Sequence, residues 1–296
     1  MQTVKAADRE QWKLLRLGFI TASDAAVICG ASPYKSELQL FYEKLGHDIE
    51  ARETEAMLWG TILEEPICSE VGKRLGCNVE PWPQDTIVLN PTCDWQSCTP
   101  DALIDGGQRI LQVKTTSSYN ADYAEQLPLH YEVQVQHELL VTKAEAAVIA
   151  ILIGGQKLVI KDVLPNHDFH EWLTHKELQF KQRVATANPP TPDGSESARR
   201  TLNQLFSDKY PDPVILDGDA GVDALDIDNH LQAVKKQITD LNAKKELLEQ
   251  ELLQLMNGRE AVLLPNGAKY TYLETTRAGY TVGPSTYRSF RRSKGR

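Results

Sequence analysis

The chain has few cysteines and no long hydrophobic run: only five of its 296 residues are Cys. A membrane-spanning helix needs about 18 or more consecutive apolar residues, and the sequence contains no such segment. Its first residues, Met1–Asp8, lack the apolar block of a signal peptide, so we expect no secretion signal. The cysteines are odd in number, scattered and without partners at zinc-ligand spacing, which argues against a disulfide framework and a zinc site. We therefore expect a cytoplasmic protein that makes no membrane contact.

The remaining composition is that of a folded protein, with 41% hydrophobic and 25% charged residues. It excludes collagen-like, low-complexity and wholly disordered chains, and the length predicts about two domains. The net charge is −9, but the last ten residues carry +5, so the other 286 carry −14. An acidic body with a basic end is expected of a metal-dependent enzyme with a local anion contact. A solvated terminus explains the charge pattern equally well.

Residues 1–187 mix helical and strand-like patterns. Helices are predicted at Ser36–Gly46, which begins with a capping-box pattern, and at Pro128–Thr142, which has proline in its first turn. Strands are predicted at Thr86–Leu89, Ala102–Ile104, Ile110–Thr115, Ala146–Ile153 and Leu158–Val163. The last two flank a pair of glycines and should form a hairpin. Interleaved helices and strands predict an α/β (α+β) fold with a mixed central sheet flanked by helices.

The C-terminal third has a different texture. Residues 188–228 have the composition of a Pro-rich linker, with one short helical pattern at Ala198–Phe206. Residues 229–296 begin with a predicted long helix, Asn229–Met256, and continue with a β-hairpin around Asn266-Gly267 and the basic tail. A coiled-coil heptad pattern, with Lys245 in one core position, runs through Leu231, Val234, Ile238, Leu241, Leu248, Leu252 and Leu255. An intramolecular helical hairpin and an oligomer interface explain this pattern equally well.

One stretch brings together residues suited to chemistry. If Asp105–Gln108 is a four-residue turn between antiparallel strands, Asp101 stands directly opposite Gln112. Directly opposed side chains have Cβ atoms about 4.5–5.5 Å apart, close enough for two oxygen ligands to share one Mg²⁺. Because side chains alternate along a strand, Gln112 and Lys114 share a face while Val113 points into the core. A carboxylate, a carboxamide and an amine thus meet at one place.

These residues resemble the metal site of the PD-(D/E)xK nucleases. Pro100-Asp101 matches the first half of that motif and Gln112-Val113-Lys114 matches the second. In that superfamily an acidic pair holds Mg²⁺, and the lysine positions or deprotonates the attacking water. The motif is short, and its surroundings make the resemblance more specific.

Those surroundings resemble the YqaJ group, the phage lambda exonuclease family of viral recombination nucleases. Arg16 followed by Ile20–Ser23 resembles the family's opening motif, whose arginine and serine contact DNA phosphate. Gly60 with Glu64-Glu65-Pro66 resembles a segment whose glutamate before proline lies at the metal site. The resemblance therefore implies a phosphate-binding role for Arg16 and Ser23 and a metal-site role for Glu65.

Two further segments extend the resemblance. Thr99 falls where the family has a small hydroxyl residue at a 5′-phosphate pocket. The segment Gln134–His137, followed by Val141-Thr142, resembles the family's glutamine helix. The two glutamines lie about 200° apart on a helix, so only one should face the site, and we expect it to be Gln136.

The resemblance covers residues 10–165 closely and implies a restriction-endonuclease-like core that hydrolyses DNA with a metal ion. Glu65, Asp101, Gln112 and the carbonyl of Val113 would hold Mg²⁺, for which Mn²⁺ should substitute, and Lys114 would orient water or stabilise charge. The implied substrate is a double-stranded DNA end, resected 5′ to 3′ to leave a single strand for an annealing or recombination partner. Ring-shaped trimers among relatives imply a homo-oligomer, and the family implies a phage or prophage origin in a bacterial host.

One position departs from the family pattern, which has Glu where this chain has Gln112. A carboxamide keeps an oxygen ligand but removes a full negative charge, so Mg²⁺ should bind more weakly. The chain is then an impaired or inactive nuclease, or a substituted form that holds DNA uncut. Alternatively, glutamine is native and Glu64, Glu65 or Asp94 compensates for it. A DNA-end binding module, a recombination-assembly protein and an endonuclease are the other functions consistent with these residues.

Overall fold

The computed structural model describes residues 1–49, 54–208, 210 and 212–276. The chain divides into two compact units, Met1–Lys209 and Tyr210–Arg296. Among the described residues, no helix is both long and apolar enough to cross a membrane. The basic tail predicted from the sequence lies outside the described residues.

The first unit contains seven α-helices and nine strands among its described residues. The helices are α1 (Arg9–Gly18), α2 (Ala22–Ile28), α3 (Glu37–Lys44), α4 (Glu55–Leu75), α5 (Leu129–Thr142), α6 (His167–Ala185) and α7 (Glu196–Leu205). The strands are β1 (Gln2–Lys5), β2 (Ile20–Thr21), β3 (Val79–Pro81), β4 (Thr86–Asn90), β5 (Cys93–Cys98), β6 (Ala102–Ile104), β7 (Arg109–Thr116), β8 (Ala146–Ile153) and β9 (Lys157–Val163).

The larger sheet has the strand order β3-β6-β7-β8-β9. Its central pair, β7 and β8, is parallel and is connected through α5, while the other neighbours are antiparallel. On one face, α4 packs through Ile67, Cys68 and Val71 against Leu111 and Val113. On the other face, α5 packs against the same two central strands through Tyr131, Val135 and Leu139. A helix on each face of a mixed sheet confirms the predicted fold class.

A second sheet, β1-β4-β5-β2, joins the N-terminal helices to this core. Its parallel pair aligns Thr21 with Ser97. Because β2 leads directly into α2, this pairing brings the start of α2 beside β5, the strand that leads to residues 99–101. The second sheet therefore positions the predicted phosphate-binding residues.

Local signals in the sequence predicted about half of these elements. Ser36 caps α3 by accepting a hydrogen bond at Oγ from the Gln39 backbone N–H at 3.1 Å. Pro128 immediately precedes α5, as expected for a residue that has no N–H to donate. Gly154 and Gly155 link β8 to β9 with φ values of +60° and +71°, which favour glycine.

The limits predicted from composition differ from the units that the structure shows. The second unit begins at residue 210, inside the segment interpreted as a linker, and α7 belongs to the first unit. Ser197 at the start of α7 accepts a hydrogen bond at Oγ from the Ser36 backbone N–H at 2.9 Å. Packing on α3 therefore fixes the position of α7, although the sequence around α7 has the composition of a linker.

The long helix of the second unit, α8, spans Gly218–Met256 and therefore starts earlier than the predicted Asn229. Its first turns contain glycines and several aspartates, which resemble linker composition, although acids near a helix N-terminus are favoured by the helix dipole. Asn257 ends α8 with φ +46°. The predicted hairpin follows as β10 (Ala261–Leu263) and β11 (Lys269–Thr271).

Candidate active site

Asp101 lies immediately before β6, and the β6–β7 register places it opposite Gln112. Ile104 pairs with Arg109 and Ala102 with Leu111, as the four-residue turn predicted. Asp101 Oδ2 accepts hydrogen bonds from Gln112 Nε2 and from the Val113 backbone N–H, each at 2.6 Å. The carboxylate is therefore held against β7 at two points.

Lys114 extends on the face of β7 that packs against α5. Its Nζ lies 5.5 Å from the centroid of the Tyr131 ring, an arrangement that favours a cation. His130 lies in the same neighbourhood: burial, followed by the charge of Lys114, lowers its pKa. The Lys114 amine therefore has two neighbours, the aromatic ring of Tyr131 and the imidazole of His130. The protonated form of that imidazole is disfavoured.

Two further carboxyl groups approach Asp101, one from each helix that covers the sheet. Burial, followed by the negative charge of Asp101, raises the pKa of Glu64 on α4 to about 7. The same two causes raise the pKa of Glu138 on α5 to about 8. Burial also raises the pKa of Asp101, although Lys114 and the hydrogen bonds from Val113 and Gln112 partly offset the increase. Carboxyl groups whose pKa is raised by burial and by a neighbouring carboxylate mark a place where a bound cation would be stabilised.

The α4 carboxyl that couples to Asp101 is Glu64, whereas the sequence had pointed to Glu65. Glu64 is half-buried and shares a helix face with Ile67, Cys68 and Val71, which pack on the sheet. Glu65, one position further around the helix, is exposed. We therefore replace Glu65 with Glu64 in the candidate site.

The glutamine expected at the site also changes. Gln136 Nε2 donates to the Leu164 carbonyl at 2.8 Å. Its Oε1 accepts from the Asn166 backbone N–H at 3.0 Å and from His170 Nε2 at 2.7 Å. The structure thus uses Gln136 to attach α5 to the segment before α6, which corrects the prediction. The other glutamine, Gln134, donates through Nε2 to Glu138 Oε1 at 3.1 Å and so lies on the side of α5 that couples to Asp101.

Two of the predicted phosphate-binding residues, Arg16 and Ser23, meet at the start of α2. The guanidinium of Arg16 donates to Ser23 Oγ and Thr21 Oγ1, each at 3.3 Å. It also lies 4.4 Å from the centroid of the Trp12 ring. Ser23 is exposed and Arg16 is half-buried, so the Ser23 hydroxyl reaches the surface while it is hydrogen-bonded to the guanidinium. Thr99 is half-buried and follows the strand that pairs with β2.

A buried ion pair fixes the turn that carries this group. Lys44 Nζ lies 2.8 Å from Asp24 Oδ2 and donates to the carbonyls of Arg16 and Phe19 at 2.7 and 2.6 Å. Burial alone would raise the pKa of Asp24, but Lys44 and then Arg16 hold it at about 2. Asp24 is therefore charged and locks the end of α1 to the start of α2.

The donors around Asp101 fit a hard divalent cation in their chemistry. Two buried oxygens, Gln112 Oε1 and Glu138 Oε2, have no hydrogen-bond partner within the described part of the chain. The other donors are the carboxylates of Asp101 and Glu64 and the carbonyl of Val113, and oxygen ligands of this kind suit Mg²⁺. Across those same residues, no three His, Cys, Asp or Glu side chains form a metal-binding cluster by themselves. Amide or main-chain oxygens would therefore have to complete the set.

Sequence reasoning missed Glu138, the acid on α5. The only local signal was the spacing of four residues between Gln134 and Glu138, which places them on one helix face. His137 next to it is a buried residue with structural contacts. Its ring nitrogens lie 2.7 Å from Glu177 Oε1 and 3.0 Å from the Ser97 carbonyl.

Comparison with known proteins shows what this chain is similar to. Residues 11–145 match the family described as the YqaJ-like viral recombinase domain. The chain is 28% identical over 264 residues to the protein YqaJ of Bacillus subtilis (strain 168), covering 87% of this chain and 81% of that protein.

Among solved structures, the alkaline exonuclease LHK-Exo of Laribacter hongkongensis is similar, with a TM-score of 0.50 and 16% identity. The similarity covers 66% of this chain and 99% of that one, and the LHK-Exo complex with dAMP gives the same values. At this identity the likeness shows the fold, and it confirms the expected restriction-endonuclease-like core. The match to the YqaJ-like viral recombinase domain spans both the group around Asp101 and the group around Arg16, so residues 11–145 of this chain are similar to that family.

Proposed function

We propose that this protein is a Mg²⁺-dependent deoxyribonuclease that degrades the ends of double-stranded DNA during phage-type recombination. The observation that carries the proposal is the contact of Asp101 with Gln112 and Val113, beside Lys114, within residues that are similar to the YqaJ-like viral recombinase domain. The similar protein LHK-Exo is an alkaline exonuclease that has been crystallised with dAMP, which supports a nucleotide ligand for this fold.

In this proposal, Asp101, Glu64, Gln112 and the carbonyl of Val113 hold the metal ion. Bound Mg²⁺, or Mn²⁺ in its place, supplies positive charge at the scissile phosphate and lowers the pKa of a water molecule. Lys114 orients that water or stabilises the charge that develops on the phosphate. Gln134 acts through Glu138, whose carboxylate it holds by a hydrogen bond.

Arg16, Ser23 and Thr99 bind the 5′-terminal phosphate in the same proposal. An arginine beside a surface hydroxyl suits a phosphate, since the guanidinium offers several donors in one plane. Capture of a 5′ phosphate gives resection in the 5′-to-3′ direction, which leaves a 3′ single strand for a single-strand annealing protein. The protein would act in the cytoplasm of a bacterial host and assemble as a homo-oligomer, such as a trimer.

The second candidate function is DNA-end binding without cleavage. Gln112 favours it, because an amide replaces the acid expected from the family and donates a hydrogen bond to Asp101. That amide removes negative charge from the cation site while leaving the Arg16 group intact.

The test is digestion of a linear, 5′-phosphorylated duplex with Mg²⁺ by the wild type, Asp101→Asn and Gln112→Glu. Cleavage by the wild type that is lost in Asp101→Asn supports the nuclease. Cleavage by Gln112→Glu alone identifies this chain as a disabled nuclease with the same site. If none of the three cleaves but all bind DNA ends, the nuclease proposal is wrong and end binding takes its place.

A further inference from the structure

Strand β7 presents alternate residues to the two helices that cover the sheet. Leu111 and Val113 pack in the cluster with α4, whereas Ile110 packs in the cluster with α5. Lys114 also lies on the α5 side, next to the Tyr131 ring. Because side chains alternate along a strand, Gln112 lies between these two on the α5 side. A glutamate at position 112 would place its negative charge on the face of the sheet that α5 covers. With glutamine there, that charge is missing from this face.

Glu138 is on that same face. It is fully buried on α5, next to Leu139, which packs in the cluster with Ile110. Its Oε1 accepts one hydrogen bond from Gln134, and its Oε2 has no partner among the residues that the structure describes. A buried carboxyl oxygen without a partner is unfavourable unless a further group satisfies it.

Gln112 also has a buried oxygen for which the described residues provide no hydrogen-bond partner. It is 3% exposed, its amide nitrogen donates to Asp101, and its Oε1 has no partner within the described ranges. Because both atoms belong to one planar amide, the unpartnered oxygen lies beside the Asp101 carboxylate. Two unpartnered, buried oxygens on one face of the sheet thus accompany Asp101, and a cation is the group that satisfies oxygens of both kinds.

We propose that Glu138 supplies, from α5, the negative charge that Gln112 no longer supplies from β7, and so balances the charge of the bound divalent cation. This inference rests on the proposed metal-dependent function. Glu138 interacts electrostatically with both Asp101 and Lys114, so its charge acts where the cation would bind. Glu138 is in this view a positioning and charge-balancing residue, and glutamine at position 112 is the native partner of that acid.

The experiment is isothermal titration of the full chain with Mg²⁺ and with Mn²⁺, in the absence of DNA. The variants are Glu138→Gln, Gln112→Glu and the double variant with both substitutions, which we call the exchange variant. Glu132→Gln is the matched control, because it removes an exposed acid from the same helix. We expect Glu138→Gln to weaken metal affinity roughly 10- to 100-fold, as loss of groups around a metal site does. We expect Glu132→Gln to leave it unchanged.

The exchange variant separates charge balance from a merely structural role. Adding Gln112→Glu to Glu138→Gln should restore most of the lost affinity, because the acid returns to the same face from the neighbouring strand. A structural role for Glu138 predicts no such rescue. Unchanged affinity in Glu138→Gln, or a loss that Gln112→Glu does not rescue, overturns the inference.

A second measurement does not depend on the folding of Glu138→Gln. In the wild-type background, Gln112→Glu should change metal affinity little, since Glu138 already balances the charge. A gain of roughly tenfold or more from this single change contradicts the inference. If the wild type binds neither metal, the proposed metal-dependent function itself fails, and this outcome is distinct from equal binding by the wild type and Glu138→Gln.

Discussion

Replacing Lys44 with methionine removes the cationic partner of Asp24 while keeping a long, unbranched side chain. The Lys44 and Asp24 side chains are only 7% and 9% exposed, so water cannot replace the lost partner. The change also removes the donor that reaches the carbonyls of Arg16 and Phe19. The variant should therefore destabilise the turn that presents the Arg16 group.

The magnitude follows from burial and from the pKa of Asp24. Lowering that pKa from 3.8 to about 2 corresponds to roughly 2 kcal/mol of stabilisation of the charged form. Removing one partner of a buried ion pair typically costs about 3–5 kcal/mol, because a buried charge is left unpaired. We expect Lys44→Met to lower the free energy of unfolding by about 3 kcal/mol at pH 7.

Urea denaturation of the full chain, followed by tryptophan fluorescence, measures this loss. Lys35→Met is the matched control: it breaks the ion pair with Glu43, which is 2.6 Å long but partly exposed. Such a pair is worth about 1 kcal/mol or less. Equal losses in the two variants would show that burial of the Asp24 pair adds nothing.

The pH dependence gives a second check on the sign. Asp24 has a lowered pKa in the folded wild type, so its contribution is present above about pH 4 and is lost as the pH falls towards 2. Without Lys44, burial dominates and raises the pKa of Asp24. In the variant, Asp24 therefore takes up a proton at a higher pH than in the wild type, and this removes the cost of the unpaired buried charge. The stability difference between wild type and Lys44→Met should shrink as the pH is lowered from 7 to 5. A constant difference over that range contradicts the assigned charge state.

Three further outcomes are expected. Arg16→Ala should reduce the preference for 5′-phosphorylated over 5′-hydroxyl duplex ends in a binding assay, and equal weakening on both substrates would remove the phosphate-binding role. Burial, followed by the charges of His167 and Lys143, lowers the pKa of His170 to about 4, so the neutral form is favoured on folding. Stability should fall by about 2 kcal/mol as the pH drops from 6.5 towards 4, and His170→Gln should remove most of that dependence in denaturation curves. Leu248 and Leu247 on α8 are 59% and 56% exposed, but only Leu248 belongs to the heptad stripe. If this stripe joins copies of the chain, Leu248→Asp should lower the mass measured by light scattering while Leu247→Asp leaves it unchanged; a monomeric wild type would refute this assembly.

Two features of the site could be predicted from local sequence alone. The four-residue turn set the register of β6 and β7, and that register placed Asp101 opposite Gln112. A shift of one residue in the pairing would move every side chain of the strand to the opposite face of the sheet. An apolar core face and a short turn together therefore allow only one register. The capped start of α3 and the glycine turn between β8 and β9 were equally local and equally predictable.

The residues that α4 and α5 bring to the candidate site could not be predicted from the sequence. Tertiary packing determines which face of a helix lies against the sheet. On α4, exposed apolar residues such as Met57, Leu58 and Trp59 blur the apolar stripe, so nothing local favours Glu64 over Glu65. On α5, residues are buried on almost every side, and periodicity therefore does not separate Gln134 from Gln136.

The sequence by itself determined the strand register, the motif on β6 and β7 and the resemblance to a family of recombination nucleases. Only the tertiary structure decided which helical acids couple to Asp101, since Glu64 and Glu138 are separated by 74 residues and approach it from opposite faces of the sheet. Turns and alternation act over a few residues, whereas the rotation of a helix about its axis depends on every side chain that it buries.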